Sequence, residues 1–476
     1  MLKLYSVKQA QTIDSKAIKQ LGIAGLTLMK RAAAFALEVL QQQWPQAQQL
    51  YILCGPGNNG GDGYALAKIA HINGYRVEIA QIGEPPQEGA ATQARQEAQA
   101  LGLIAEDFSA QKLMQTDLVV DALFGIGLNR PLEAPWNQII DAINMAQRPI
   151  LALDIPTGLD ANNGQVLGAA LQAQHTATFI VHKTGLYLND GPDFTGQVHL
   201  SDLQLPEEMF DEFTPLATSW QQDDIPLIAR RHNSHKGTYG SALLIGGNHN
   251  MMGALALSGK ACLRSGVGLC KLLSRAEHQV ALSQIQHELM CYQDTDFHRL
   301  AIKADVIAIG PGLGTDSWAW SLYEEVCKSN RPLVLDADAL NCLALEPFHY
   351  ERWILTPHPG EASRLLERPT HVIQNDRISA IQALHKRYGG VIVLKGAGTL
   401  IYDGQNLALC RAGNPGMAVG GMGDVLTGLI AGLVTQGFNL FEAAQRGVEL
   451  HARAGDKVAQ NRGESSLLPS DIIDVL

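Results

Sequence analysis

A single carboxylate, Asp424, closes the glycine cluster in GNPGMAVGGMGDVLTGLIAGL, residues 413–433, where seven glycines punctuate the approach to an apolar helical run. Glycines let a chain turn sharply and present its N–H groups. A helix starting at that point adds the positive end of its dipole, so the stretch predicts an anion site. An aspartate at such a mouth would repel phosphate unless it had a task there. That task is taking a proton from a hydroxyl that meets a phosphoryl group. The plainer alternative is a glycine-rich turn between two packed helices.

A second set of turn formers, GPGNNGGDG at residues 55–63, follows the apolar run LYILC and predicts a backbone cradle opening a helix. It is neither GxGxxG nor a P-loop, since no Lys-Ser/Thr pair follows. Asn58, Asn59 and Asp62 can hydrogen-bond a ribose or supply oxygens to a cation. Two further strand ends match it. DALFGIGLNRP offers Asp121 and a glycine loop whose Arg130 suits a phosphate. LDIPTGLD offers Asp154, held by a proline turn, with the Thr157 hydroxyl beside it. Asn59, Asp121 and Thr157 are hard oxygen donors with one formal charge among them. That set suits a weakly bound monovalent cation better than magnesium. Taken singly, each of these residues reads equally as a helix cap or turn former.

Four segments accompany Asp424 in the second half. IGPGLGT is a strand-to-loop turn. LTPHPGEASRLL places His358 between two prolines, with Glu361 starting a helix. VLKGAGTLIYDG offers Lys395 beside a glycine turn, as a nucleotide phosphate site would. LDADALN carries Asp336 and Asp338, readable as a metal pair or as caps of the next helix. Alone, His358 is equally a turn residue, and Lys395 a solvated edge charge.

Short apolar runs alternating with helical segments must position these residues, and that alternation predicts parallel sheets flanked by helices. In the first half the runs are LYILC, RVEIAQI, DLVVDAL, PILALDI and ATFIVHK; in the second they include SALLIGG, VGLCKLL, DVIAIG, RPLVLDAD, RWILTP and GVIVLKG. Their carboxyl ends carry the unusual residues, where doubly wound sheets gather ligands. The acidic, proline-bearing stretch from 202 to 230 interrupts the alternation, so 476 residues are read as two α/β domains parting near residue 215. A hydrophobic share of 46% and a net charge of −11 indicate a globular protein whose function does not rest on attraction to nucleic acid or anionic lipid. No signal-peptide core or membrane-length apolar run is present. Seven cysteines without a CxxC pair fit a reducing compartment, and cytoplasm is the expected location.

GPGNNGGDG, DALFGIGLNRP and LDIPTGLD resemble the signature segments of the NAD(P)H-hydrate epimerases. Members of that family have a Rossmann-like fold and interconvert the R and S forms of hydrated NADH and NADPH. The resemblance implies a substrate site formed by Asn58, Asn59, Gly60, Gly61 and Asp62 with Gly125, Ile126, Gly127, Leu128, Asn129, Arg130 and Pro131. It makes Asp154 the acid/base residue in contact with substrate, and gives potassium to Asn59, Asp121 and Thr157. Thr157 stands where the family usually has serine, which keeps the oxygen ligand. LMKRAAAFA puts Lys30 and Ala33 where the family usually shows Glu and Gly.

HKGTYG, GALALSGKACLRSG, GPGLGT, TPHPGE, KGAGT and GNPGMAVGGMGDVLTG resemble, in order, the motifs of the ADP- or ATP-dependent NAD(P)H-hydrate dehydratases, which have a ribokinase-like α/β/α fold. The whole chain is thus similar to the bifunctional NAD(P)H-hydrate repair enzymes, with an epimerase domain at 1–214 and a dehydratase domain at 215–476. The resemblance implies that Ala254, Gly312, Gly314, His358 and Asp424 contact the hydrate. Lys395, Gly396, Ala397, Gly398, Thr399 and Gly423 would hold the adenine nucleotide. Met422 stands where many relatives have threonine. ADP is favoured over ATP as donor, with Mg2+, and AMP and phosphate as products. The expected form is a homo-oligomer acting on small molecules, with no nucleic-acid or membrane partner. The rival is a ribokinase-like small-molecule kinase carrying a non-catalytic N-terminal binding module.

Overall fold

The computed structural model describes residues 1–221, 230 and 232–476, so the part of the acidic stretch at 222–229 and 231 lies outside the described residues. The chain forms two compact units, Lys3–Ala217 and Thr218–Leu476, the second including Met1 and Leu2.

In the first unit, seven parallel strands lie in the order Ala105–Glu106, Arg76–Gln81, Gln49–Cys54, Leu118–Ala122, Ile150–Leu153, His175–Phe179 and Gln197–Ser201. The order reverses between Gln49–Cys54 and Leu118–Ala122, a Rossmann-like switch point where a crevice opens beyond the strand ends. Strand alternation explains the two cores. Leu50, Ile52 and Cys54 face one, with the helices Val7–Lys19, Gly25–Gln43 and Asn58–Ile72. Tyr51 and Leu53 face the other, with Trp136–Met145. Burial on both faces is why these strands read as near-continuous apolar runs.

The run ATFIVHK, expected as one strand, is divided. His175–Phe179 ends before Ile180, whose φ of +69° turns the chain out of the sheet. His182–Lys183 then pairs in parallel with the first strand, Tyr5 opposite Lys183. That break brings Lys183 back under the end of Ile150–Leu153.

The second unit repeats the plan. Parallel strands run Met290–Gln293, Leu269–Ser274, Ser241–Ile245, Val306–Ile309, Leu333–Leu335, Trp353–Leu355 and Val391–Leu394. Thr399–Tyr402 and Leu407–Cys410 follow antiparallel. The switch point lies between Ser241–Ile245 and Val306–Ile309. The small-residue helix Met252–Arg264 packs inside this unit, against the helix Met422–Val434. A Cβ on Gly428 would stand 1.9 Å from the Ser258 carbonyl oxygen, so only glycine permits that approach. Among the described residues no helix is long and apolar enough to cross a membrane. All seven cysteines are free.

Candidate active sites

At the first switch point the helix Asn58–Ile72 begins directly after the strand Gln49–Cys54 and its turn, and no side chain caps it. Its first-turn N–H groups stay at the positive end of the dipole. A cavity of about 920 Å³ opens there, lined by Asn58, Asn59, Asp62, residues 123–128 and Asp154. Asn129, Arg130 and Pro131 are exposed and stand outside this lining, as do Gly60 and Gly61. The last two are packing positions: a Cβ on Gly60 would lie 2.1 Å from the Gly55 carbonyl oxygen.

Asp154 follows the strand Ile150–Leu153 with φ +65°, a left-handed conformation costly for a non-glycine residue and typical of functional strand ends. Its Oδ1 accepts from Lys183 Nζ. Lys183 is almost fully buried and also donates to Thr178 Oγ1 (2.9 Å) and the Phe179 carbonyl (2.8 Å). Asp154 Oδ2 turns the other way, within 3.2 Å of a Cβ built on Gly125, and the Asn59 side chain is 3.4 Å from the same point. The loop at Gly125, the amide of Asn59 and one oxygen of Asp154 therefore meet.

Two more carboxyls line the cavity, Asp62 and Asp14, against one cation, Lys183. Burial, reinforced by Asp154 and Asp14, pushes Asp62 well above the usual carboxylate range. Burial and Asp154 also raise Asp14. The cavity thus sets two carboxyls whose neutral form burial favours beside one that is paired with a lysine.

Asp121 and Thr157 lie just behind. Asp121 Oδ1 accepts from the Thr157 hydroxyl and Oδ2 from the Thr157 N–H, both at 2.7 Å. Burial pushes the carboxyl up to about 6 despite these bonds. Among the described residues neither the amide oxygen nor the amide nitrogen of buried Asn59 has a hydrogen-bond partner. An orphaned buried oxygen beside a carboxylate and a hydroxyl fits a monovalent cation. Where the family usually has Glu and Gly, Lys30 pairs with Glu97 at 2.8 Å on the surface and Ala33 is fully buried.

At the second switch point, Asn248 N donates to the Gly312 carbonyl (2.7 Å) and its amide to the Leu313 carbonyl (2.9 Å). Ala254 closes against Gly312, where a Cβ would stand 3.1 Å from its own. Gly314 N donates to Asp338 Oδ2 at 2.8 Å. Ala254, Gly312 and Gly314 are thereby brought together.

His358 caps the helix Pro359–Leu366: its Nδ1 accepts from Gly360 N (3.0 Å), and Glu361 Oε2 accepts from His358 N (2.7 Å). Burial, then Lys395, lowers the imidazole, which favours its neutral form. Lys395 is no solvated edge charge. Its Nζ lies 2.7 Å from Asp336 Oδ1 and 3.7 Å from Glu361 Oε2. Asp336 stands at the N-cap of the helix Ala337–Leu345 but caps nothing with its side chain. Its oxygens accept from Thr356 Oγ1 (2.8 Å) and Thr427 Oγ1 (2.9 Å) as well as from Lys395. Burial works against the ionised carboxyl, but Lys395 and the two hydroxyls hold it below the usual range.

Thr427 sits one turn along the helix that Met422 opens and on which Asp424 stands. A Cβ on Gly423 would lie 3.2 Å from Asp336 Oδ2 and 3.3 Å from Lys395 Nζ, so the helix start rests on that ion pair. Burial, then Asp336, Asp338 and Glu361, pushes Asp424 up to about 7 against the pull of Lys395. A carboxyl pushed towards neutral pH thus stands at a helix N-terminus beside a half-buried ammonium, as a proton acceptor would.

Sequence reasoning missed Lys183, Asp14, Asn248 and Arg377. Lys183 had one signal, a lysine inside an apolar run. Asp14, on an ordinary amphipathic helix, had none.

A family model described as YjeF-related protein N-terminus matches residues 25–185. One described as NAD(P)H-hydrate dehydratase matches residues 242–476. The chain is 43% identical to the bifunctional NAD(P)H-hydrate repair enzyme Nnr of Coxiella burnetii, across 99% of this chain and 98% of that one. It is 39% identical to the Escherichia coli enzyme of the same name, across 97% and 91%. It is also similar to a crystal structure of the ADP/ATP-dependent NAD(P)H-hydrate dehydratase of Bacillus subtilis co-crystallised with ATP and Mg2+, 31% identical over 52% of this chain and 91% of that one, with a TM-score of 0.47. The chain belongs to the bifunctional NAD(P)H-hydrate repair enzymes, with a Rossmann-like epimerase unit and a ribokinase-like dehydratase unit in one polypeptide.

Proposed function

We propose that Asp154 and Asp424 are the reacting groups of the two activities. The enzyme interconverts the R and S forms of hydrated NADH and NADPH and dehydrates the S form. In the epimerase unit, a cavity carboxyl protonates the ring hydroxyl, which leaves as water while the ring nitrogen supplies electrons to the carbon. Water returns on the opposite face and Asp154 takes its proton. The 123–128 loop and the open helix N-terminus at Asn58 hold the substrate. Asn59, Asp121 and Thr157 hold a potassium ion, which would fix Asn59 and the strand ends around the substrate.

In the dehydratase unit, hydroxide is too poor a leaving group to depart unaided. Asp424 takes the proton of the ring hydroxyl as its oxygen attacks the terminal phosphoryl group of the nucleotide, and N–H groups of 421–424 stabilise the migrating oxygens. The phosphorylated ring then expels phosphate and regains the dihydropyridine. Ala254, Gly312, Gly314 and His358 hold the hydrate. Residues 395–399 and Gly423 hold the adenine nucleotide, and Mg2+ accompanies its phosphates. ADP is the donor in this reading, leaving AMP, and the enzyme works as a cytoplasmic homo-oligomer.

The observation that carries this reading is Asp424 itself, a half-buried carboxyl pushed up to about 7 on a helix start backed by Lys395. The test mixes full-length protein with the S hydrate of NADPH, Mg2+ and either ADP or ATP, and follows the returning dihydronicotinamide absorbance. Recovery with ADP supports the dehydratase reading and its donor. A stable phosphorylated hydrate with no recovery makes this site a kinase.

A further inference from the structure

Arg377 opens the helix Arg377–Tyr388 and is 1% exposed, one of the largest fully buried side chains. Among the described residues no carboxylate lies within ion-pair distance of it. Burial pulls the guanidinium down to about 10 from its ordinary value. An unpaired buried charge is expensive and calls for a compensating function.

Its compensation is the turn after the strand Val391–Leu394. Arg377 Nη1 donates to the Ala397 carbonyl, and Nη2 to those of Leu394 (3.1 Å) and Lys395 (3.2 Å). The remaining carbonyl of the turn, Gly396, accepts from Thr399 Oγ1 at 3.0 Å. All four carbonyls from 394 to 397 are thus engaged. The N–H groups of Gly396, Ala397 and Gly398 have no hydrogen-bond partner among the described residues. Gly396, at φ +142°, closes directly over the guanidinium, where a Cβ would stand 2.9 Å from Nη2. A turn with its carbonyls drawn to one side and free N–H groups left over is an anion nest, and here a cation lies beneath it.

We infer that Arg377 is a positioning residue for the adenine nucleotide: it holds the carbonyls of Leu394, Lys395 and Ala397 inward so that the N–H groups of 396–398 meet the nucleotide. This rests on the reading that 395–399 is the nucleotide turn. Arg377 itself contacts the turn's carbonyls, and its charge adds to the attraction for the phosphates. A lysine keeps the charge but not the planar fork that reaches several carbonyls at once.

The test uses full-length Arg377→Met, Arg377→Lys and Gly396→Ala. Each is assayed for kcat and KM with ADP and with the S hydrate of NADPH, with epimerase activity measured in the same preparation. Arg377→Met is expected to raise the KM for ADP at least about tenfold, which is about 1.4 kcal/mol of nucleotide binding. Its KM for the hydrate and its epimerase rate stay within twofold of wild type. Arg377→Lys and Gly396→Ala fall between. A merely structural arginine would lower kcat and raise both KM values together or lower the thermal midpoint alone, and either result overturns the inference. If Arg377→Met does not fold, Arg377→Lys decides, because it keeps the charge and loses only the planar fork. An ADP KM within twofold of wild type there counts against the inference. Gly398→Val separates the underlying reading. If it leaves the ADP KM unchanged, 395–399 is not the nucleotide turn, and the inference falls with it. A raised KM in Gly398→Val with a normal one in Arg377→Met removes only the role of Arg377.

Discussion

Lys395 Nζ and Asp336 Oδ1 lie 2.7 Å apart directly behind Gly423, the residue before Asp424. The carboxylate is buried and the ammonium half-buried, and Thr356 and Thr427 complete the carboxylate's bonds. Thr427 shares its helix with Asp424. One ion pair therefore ties Lys395 to the helix start carrying Asp424, and positioning of this kind is a large part of phosphoryl-transfer catalysis.

The first prediction concerns pH. Asp424 must be ionised to accept a proton, and its carboxyl is pushed up to about 7. Below that pH the group holds a proton and is idle; above it the base is available. Dehydration kcat is therefore expected to rise with pH through about 7, measured with the S hydrate and saturating nucleotide. Asp424→Asn is expected to lower kcat by about 10²–10⁴-fold at every pH while nucleotide binding stays near wild type. A flat wild-type profile between pH 5.5 and 8.5 would remove Asp424 as the titrating base.

The second concerns Gly423. The methyl group of Gly423→Ala presses on both members of the Lys395–Asp336 pair at 3.2–3.3 Å. The fold can accommodate a few tenths of an ångström, but the lysine cannot stay in place. We expect about a tenfold higher nucleotide KM, with the epimerase rate unchanged. A normal KM would mean that Lys395 does not contact the nucleotide.

The third concerns potassium. Replacing K+ by Li+ is expected to slow epimerisation and leave dehydration of the S form untouched. Asn59→Ala should erase the difference between the two ions. Thr157→Val should do the same and lower stability by about 1–3 kcal/mol, because it strips a buried carboxylate of a hydroxyl donor at 2.7 Å. Equal epimerase rates in K+ and Li+ with the wild-type protein would rule out the ion site.

What the sequence made legible follows from how the information is stored. Glycine cradles, strand-end aspartates and apolar runs are local, so Asn59, Asp154 and Asp424 stood out, as did the two doubly wound sheets. Lys183 reaches Asp154 only because Ile180 breaks a run that reads as one strand, and no periodicity marks that turn. Asp336 looked like a cap or a metal ligand, since three of its partners, Thr356, Lys395 and Thr427, are 20 to 91 positions away. Arg377 serves a turn 17 to 20 residues later and belongs to no motif. Asn129, Arg130 and Pro131 sit in a segment that is partly cavity wall and partly surface, a division that a continuous motif does not show.

The central claim is that two separate sites, at Asp154 and Asp424, act in succession on one pool of substrate. It is tested most directly by giving a mixture of R and S hydrates of NADPH, with ADP and Mg2+, to wild type, Asp154→Ala and Asp424→Asn. Wild type should return the whole pool to NADPH. Asp154→Ala should return the S fraction at the wild-type rate and then slow to spontaneous epimerisation, and Asp424→Asn should return almost none while still equilibrating the two forms. Complete, fast recovery by Asp154→Ala, or wild-type turnover by Asp424→Asn, would contradict the account.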